Sequence, residues 1–267
     1  MLCGKQGGDQ MNAIDMTVND WNEYLIWEDS FIQELDKKES YVKPESEKTE
    51  EEKHISRLAD VVYYQAKTLE PCITADISSI IENTKGKLLT TVSPKTGLRV
   101  PSHVLKEKAS IERKIIADSY AYLGDFEKAS SGIRDSVRYT IIFEDEDYTQ
   151  GVDNFLHQLE NLGYYDIEVK NNWSTNKDDK KRTCQGINVK LKSREGMYFE
   201  IQFHTPNSHD IKETNTRRLY RVIRDKNAPD FRRNQANNLR ILLQSRVNAP
   251  DNIEDYRFIS NNNSMRR

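Results

Sequence analysis

The chain has 267 residues, 36% of them hydrophobic, with 40 Lys and Arg against 43 Asp and Glu and a formal net charge of −3. That size supports one buried core of roughly 150 to 200 residues with flexible ends, and the near balance of charge argues against a general nucleic-acid binder. Cys3, Cys72 and Cys184 stand far apart with no CxxC pair, which speaks against a disulfide framework or a zinc site and for a reducing compartment. No apolar run approaches the roughly 20 residues of a membrane span, and Met1 to Asp20 lacks the hydrophobic centre of a signal peptide.

Trp21, Tyr24, Leu25, Ile26, Trp27, Phe31, Ile32 and Leu35 recur at helical spacing and predict an amphipathic helix that docks on the domain or on a partner. From Glu28 to Lys53 the composition is Glu, Lys, Asp and Ser, most of all from Ser40 on, which predicts a flexible or loosely helical acidic linker. Helices are expected over Ile55 to Leu69 and Ala75 to Ile81, then a loop around Pro94, Gly97 and Pro101, then a helix from His103 to Leu123 closed by Gly124. Tyr139 to Phe143 reads as a short buried strand ended by the acidic run Glu144 to Asp147.

Val152, Phe155, Leu156, Leu159 and Leu162 predict a helix capped by Gly163, and Asp166 to Lys170 alternates as a strand. A polar loop is expected from Asn171 to Thr183. Gln185 to Lys192 and Met197 to His204 then form a hairpin about Glu195-Gly196, followed by a basic helix over Ile211 to Ile223. No repeat of fixed period occurs. The expected fold class is α/β, in the α+β sense: a mixed sheet of about five strands flanked by helices.

The chemistry concentrates in four places. In Phe199 to Thr205, period-two alternation puts Glu200, Gln202 and His204 on one face of a strand and Phe199, Ile201 and Phe203 on the other. On the helix expected from His103, Lys106, Ser110 and Lys114 share a face, with Arg113 beside them; cations repeating each turn repel one another unless an anion such as a polyphosphate lies across them. Asp135, flanked by Arg134 and Arg138, precedes a strand, where with Glu200 it can hold magnesium against phosphates. Gly186-Ile187-Asn188 allows close backbone approach and offers an amide to a ligand, and Ser208, His209, Lys212 and Glu213 follow the Glu200 strand. Trp173 is either a stacking platform for a base or a packing anchor. His54, His103 and His157 read as ordinary surface or helix residues.

Lys106 to Lys114, then Asp135, then Glu200-Ile201-Gln202-Phe203-His204-Thr205 and His209 to Glu213 resemble, in that order, the RelA/SpoT-like pyrophosphokinase domain, over roughly Asp60 to Arg224. The resemblance implies a nucleotidyltransferase-like synthetase fold over 55–235, preceded by an N-terminal helix and acidic linker (1–54) and followed by a tail (236–267). It implies transfer of the β,γ-pyrophosphate of ATP to a ribose 3′-hydroxyl. Lys106, Ser110, Arg113, Lys114 and Arg138 would bind donor phosphates, and Asp135 and Glu200 would hold Mg2+. Glu200 would activate the acceptor hydroxyl with Gln202 and His204 beside it, and Lys170, Trp173, Asn188 and His209 would meet the acceptor.

Val104 stands where the housekeeping members of that family have Arg, and Gly186-Ile187-Asn188 replaces a Gly-Tyr-x-Ser motif, so no Tyr is placed to stack on guanine. His204 replaces the usual Arg. These departures, with Arg138-Tyr139-Thr140, Lys170-Asn171-Asn172-Trp173 and Gln-Phe-His-Thr-Pro, resemble the toxin branch of the family. That branch implies synthesis of (p)ppGpp- or (p)ppApp-type nucleotides, an immunity or antitoxin partner, action in the cytoplasm after delivery by a specialised secretion system, and no membrane association. No His-Asp hydrolase motif accompanies the synthetase elements. Two alternatives stand beside this reading. One is the same chemistry on the 3′ end of tRNA, suggested by the excess of Lys and Arg from Lys212 to Arg246. The other is an inactive nucleotide-binding module, against which the presence of both Asp135 and Glu200 argues.

Overall fold

The computed structural model describes residues 17–41, 43–94, 96–102, 104–173 and 185–253. The expectations for Cys3, His103, Cys184, the loop residues 174–183 and the end of the chain from 254 lie outside these residues. Helix α1 (Val18–Ser40) opens with a capping box in which Asp20 N–H donates to Thr17 Oγ1 and Thr17 N–H donates to the Asp20 carboxylate. A second box, Thr49 with Glu52, opens α2 (Glu50–Glu82). The stretch expected to be a flexible or loosely helical linker is helical to Ser40 and again from Glu50. Glu50, Glu51 and Glu52 sit in the first turn of α2, where the exposed N–H groups favour them.

The two helices expected on either side of Pro71 are one. Ala66, Ile73, Ile77 and Ile80 are buried along it, and that burial outweighs the local cost of about 3 kcal/mol for an interior proline. A short strand β1 (Lys87–Leu88) follows. The loop expected near Pro94 is a hairpin of β2 (Thr90–Val92) and β3 (Arg99–Pro101). The predicted helix from His103 begins only at Lys108, as α3 (Lys108–Ser119). Before it, Arg138 N–H donates to Val104 O at 2.8 Å and Lys106 N–H to Ser136 O at 2.9 Å, so this segment satisfies its backbone on a strand edge instead of in a helical turn. Lys106 consequently does not share a helix face with Ser110 and Lys114.

There follow α4 (Phe126–Ser131), β4 (Arg138–Ile142), α5 (Tyr148–Asn161), β5 (Tyr165–Asn171), β6 (Ile187–Lys192), β7 (Tyr198–His204) and α6 (Pro206–Asp210). The expected basic helix is a π-helical turn, Ile211–Thr216, running into α7 (Arg217–Arg224), and an unanticipated α8 (Asp230–Gln244) comes next. Among the described residues no helix is long and apolar enough to cross a membrane.

The described residues fall into two compact units, the first of 17–41 and 210–247, the second of 43–173, 185–209 and 248–253. The first contains α1, the π-helical turn, α7 and α8. Tyr24, Ile32 and Leu35 of α1 pack with Leu219, Val222, Ala228 and Ala236, with Trp21, Trp27 and Phe31 against them. Arg218 pairs with Asp29 at 2.9 Å and lies 3.5 Å from the buried Glu28, while Arg221 meets Asp36 at 2.8 Å and Glu39 at 3.2 Å.

The second unit is built on a mixed sheet in the order β1-β4-β7-β6-β5, in which only β4 and β7 run parallel. One face is apolar: Tyr139 and Ile141, then Phe199, Ile201 and Phe203, then Ile187, Val189 and Leu191, all essentially inaccessible. From α5, Phe155 meets Phe203 edge-on at 5.6 Å and the Tyr148 hydroxyl donates to Phe203 O at 2.8 Å. This buried layer fixes the register of the opposite, polar face, since a slip of one residue would exchange the two.

Candidate active site

Strand pairing arranges the polar face in rows. Across β5, β6, β7 and β4 one row reads Glu168, Lys190, Glu200, Arg138, and the next reads Lys170, Asn188, Gln202, Thr140. Directly opposed residues on neighbouring strands bring their Cβ atoms to about 5 Å. The first row therefore alternates anion and cation across four strands. Glu200 is 9% and Gln202 7% exposed, and the Gln202 amide donates to Glu200 Oε1, which fixes the carboxylate.

Asp135 sits just before β4. The backbone bond from Lys106 to Ser136 sets Lys106 beside it, with Nζ 2.6 Å from Asp135 Oδ2. Burial pushes the Asp135 carboxyl up, but the charges of Lys106, Lys114 and Arg138 and the Lys106 hydrogen bond outweigh it, leaving the group below the ordinary Asp value. Its other oxygen, Oδ1, is buried and accepts no hydrogen bond among the described residues. Arg138 links the two acids, acting on Asp135 by charge while facing Glu200 in the strand register.

His204 is fully buried. Its Nδ1 lies 3.0 Å from Gln185 O and 3.1 Å from Ser208 Oγ, so the ring locks the end of β7. Gly186 makes this possible: its φ is +148°, and a Cβ there would lie 2.7 Å from His204 Cε1. The close approach expected at Gly186 is thus to a side chain of the protein itself. His209 is edge-on to His204 at 6.0 Å.

Ser110 accepts from Arg113, whose guanidinium is otherwise exposed, and Lys114 pairs with Asp118 at 3.1 Å. Trp173 is only 8% exposed and meets Tyr148 edge-on at 5.3 Å, so of its two expected roles it takes that of packing anchor. Asn188 and Lys170 lie in the row beside Gln202.

Sequence reasoning passed over Glu168 and Lys190. Lys190 Nζ lies 2.5 Å from Glu168 Oε2 and Lys170 Nζ 2.9 Å from Glu168 Oε1, and these hydrogen bonds hold the Glu168 carboxyl down to about 2. The signal that could have found them is parity: on β6, Lys190 stands two residues from Asn188, and on β5, Glu168 stands two from Lys170. Among the described residues no group of three or more His, Cys, Asp or Glu side chains gathers as a metal site.

No protein-family model and no curated protein matches the sequence. Solved structures similar to the chain include the type VI effector Tas1 in complex with its immunity protein, at 18% identity over 70% of this chain and 95% of that one, with a TM-score of 0.42. A GTP pyrophosphokinase family protein from Streptococcus pneumoniae is similar at 13% identity over 74% of this chain and 88% of that one, with a TM-score of 0.40. Small alarmone synthetase 1 from Bacillus subtilis, bound to its product pppGpp, is similar at 12% identity over 68% and 88%, with a TM-score of 0.36. These are weak likenesses of fold, and they say nothing of what this chain binds or transfers.

Proposed function

We propose that the chain is an ATP-dependent pyrophosphokinase that moves the β,γ-pyrophosphate of ATP to the ribose 3′-hydroxyl of a nucleotide. The observation that carries the reading is a fixed carboxylate, Glu200, flanked on adjacent strands by Arg138 and Lys190, with Asp135 gripped by Lys106 at the mouth of β4. Such chemistry needs positioning and charge neutralisation more than a covalent partner. Lys106, Arg113, Lys114 and Arg138 are the cations for the donor triphosphate. Glu200 takes the proton of the 3′-hydroxyl; the 3′-oxygen bonds to Pβ as the bond from Pβ to the oxygen bridging Pα breaks, and that bridging oxygen leaves on AMP. Gln202 holds the carboxylate in place for this step.

Magnesium fits the residues present. Asp135 Oδ1 is a buried, unpartnered acceptor, and Mg2+ typically takes one or two protein carboxylates and fills the rest of its shell with water and phosphate oxygens. Asp135 and Glu200 would hold it, and when bound it supplies neutralisation of the polyphosphate charge. We assign the activity a toxic role, in which ATP is drained into 3′-pyrophosphorylated nucleotides and an immunity protein protects the producer.

Pyrophosphorylation of the tRNA 3′ end is less favoured, because Arg218 and Arg221 already meet acids of α1. The test is purified protein with Mg2+, ATP labelled at the γ-phosphate, and AMP, ADP, ATP, GDP or GTP as acceptor. Label should pass to an acceptor with wild type and not with Glu200→Gln of unchanged thermal unfolding. No transfer to any of these acceptors overturns the reading.

A further inference from the structure

We infer that Lys170 and Lys190 form a subsite for the 5′-phosphates of the acceptor nucleotide, and that Glu168 is a resident anion which the acceptor must displace. The inference rests on the function proposed above.

Lys190 faces Glu200 across one strand spacing, and Lys170 stands on the strand beyond, in the adjacent row. With strands about 4.8 Å apart, the two lysines are rooted one and two spacings from the strand of the carboxylate that receives the 3′-hydroxyl proton. That interval matches the span of a single ribose from its 3′-oxygen to its 5′-phosphate. A nucleotide placed for reaction at Glu200 therefore carries its 5′-phosphates over β6 and β5.

The trio holds two cations and one anion. Each oxygen of Glu168 takes one lysine, so the carboxylate imitates a phosphate bridging both. Glu168 and Lys190 are half-buried and Lys170 exposed, which leaves the trio open to solvent and to exchange. With its carboxyl held near 2, Glu168 stays ionised throughout the neutral range, and the exchange is of one anion for another. Glu168 also draws the Lys190 ammonium toward β5 and so away from Glu200. A monophosphate, at about −1.5 to −2, exceeds the carboxylate it replaces by no more than one charge, whereas a diphosphate brings more charge still and more acceptor oxygens. The arrangement therefore selects acceptors by phosphate number, with nucleoside diphosphates above monophosphates and nucleosides last.

The experiment titrates adenosine, AMP and ADP, and guanosine, GMP and GDP, into the full chain by calorimetry, alongside KM measurements for each acceptor and for ATP. Lys190→Met should weaken ADP or GDP about tenfold, the worth of one charge-assisted hydrogen bond, with nucleoside binding and the KM for ATP unchanged. Glu168→Gln should tighten binding of phosphorylated acceptors, most of all AMP or GMP, which narrows the gap between mono- and diphosphate. Equal losses for nucleoside and diphosphate in Lys190→Met, or weaker phosphate binding in Glu168→Gln, would overturn the inference and reduce the trio to a structural cluster. If wild type transfers no pyrophosphate, the proposed function fails, while the titration still decides the subsite.

Discussion

Replacing Lys106 by Met removes the cation that sits 2.6 Å from Asp135 Oδ2 and keeps most of the apolar stem. Breaking a fully buried ion pair from one side costs about 3–5 kcal/mol, and an exposed pair is worth about 0–1 kcal/mol. Here the two side chains are 21% and 20% exposed, so the loss at neutral pH should lie near 2 kcal/mol. Asp135→Asn should cost less, because an orphaned lysine can extend to water and an orphaned carboxylate in this corner cannot. The sign with pH follows from Asp135. In wild type its folded carboxyl lies below the unfolded value of 3.8, so its contribution is present above that value and is lost as pH falls through the lower folded one. Without Lys106 the strongest of the effects that hold the carboxyl down is gone while burial remains, so its folded value rises relative to wild type and the gap between the two proteins narrows as pH falls through the carboxylate range. Urea unfolding of wild type and Lys106→Met at pH 7 and pH 3 measures both quantities. A difference below about 0.5 kcal/mol at neutral pH, the scatter of ordinary surface changes, or a gap that does not narrow on acidification, refutes this account of the corner.

Gly186→Ala should destabilise the protein by about 2–4 kcal/mol, combining a backbone region that L side chains avoid with a clash against His204; an unfolding midpoint like wild type's would contradict it. Trp173→Ala should cost about 3–5 kcal/mol of stability and leave the acceptor KM of the folded fraction unchanged, whereas a selective rise in that KM would restore the stacking role. Arg221→Ala should lower stability by about 0.5–1 kcal/mol at low salt, an effect that fades in 1 M salt as ion pairs are screened. Stability at pH 2 to 4 should depend on Glu168: its depressed carboxyl contributes above pH 4.5 and the contribution is lost as pH falls toward 2, so Glu168→Gln should flatten that limb of the profile.

The strands of the site were legible because their signal is local. Alternation in Met197 to His204 and Gln185 to Lys192 gave the hairpin and the polar face, and the short aromatic and β-branched stretch Tyr139 to Phe143 gave β4. What escaped depends on partners distant in sequence. Lys106 leaves the helix because Ser136 and Arg138 offer its segment a strand edge, and α2 runs through Pro71 because Ile73, Ile77 and Ile80 are buried beyond it. The excess of Lys and Arg from Lys212 to Arg246 left a phosphate track open as an alternative to a solvated face, whereas Arg218 and Arg221 meet acids near the start of the chain. Lys190 looked like an ordinary polar position of a half-buried strand until the register set it between Glu168 and Glu200. His204 looked catalytic because its type is, while its burial against Gln185 and Ser208 is a property of the fold alone.

Phosphorus NMR of a complete reaction, containing the full chain, Mg2+, ATP and the acceptor nucleotide, decides the nature of the transfer. One AMP should appear for each acceptor bearing a new diphosphate on its 3′-oxygen, and neither signal should grow with Glu200→Gln. ADP with a 3′-phosphomonoester, ADP with free phosphate, or an AMP signal indifferent to Glu200 would contradict the assignment of this sheet face to pyrophosphate transfer.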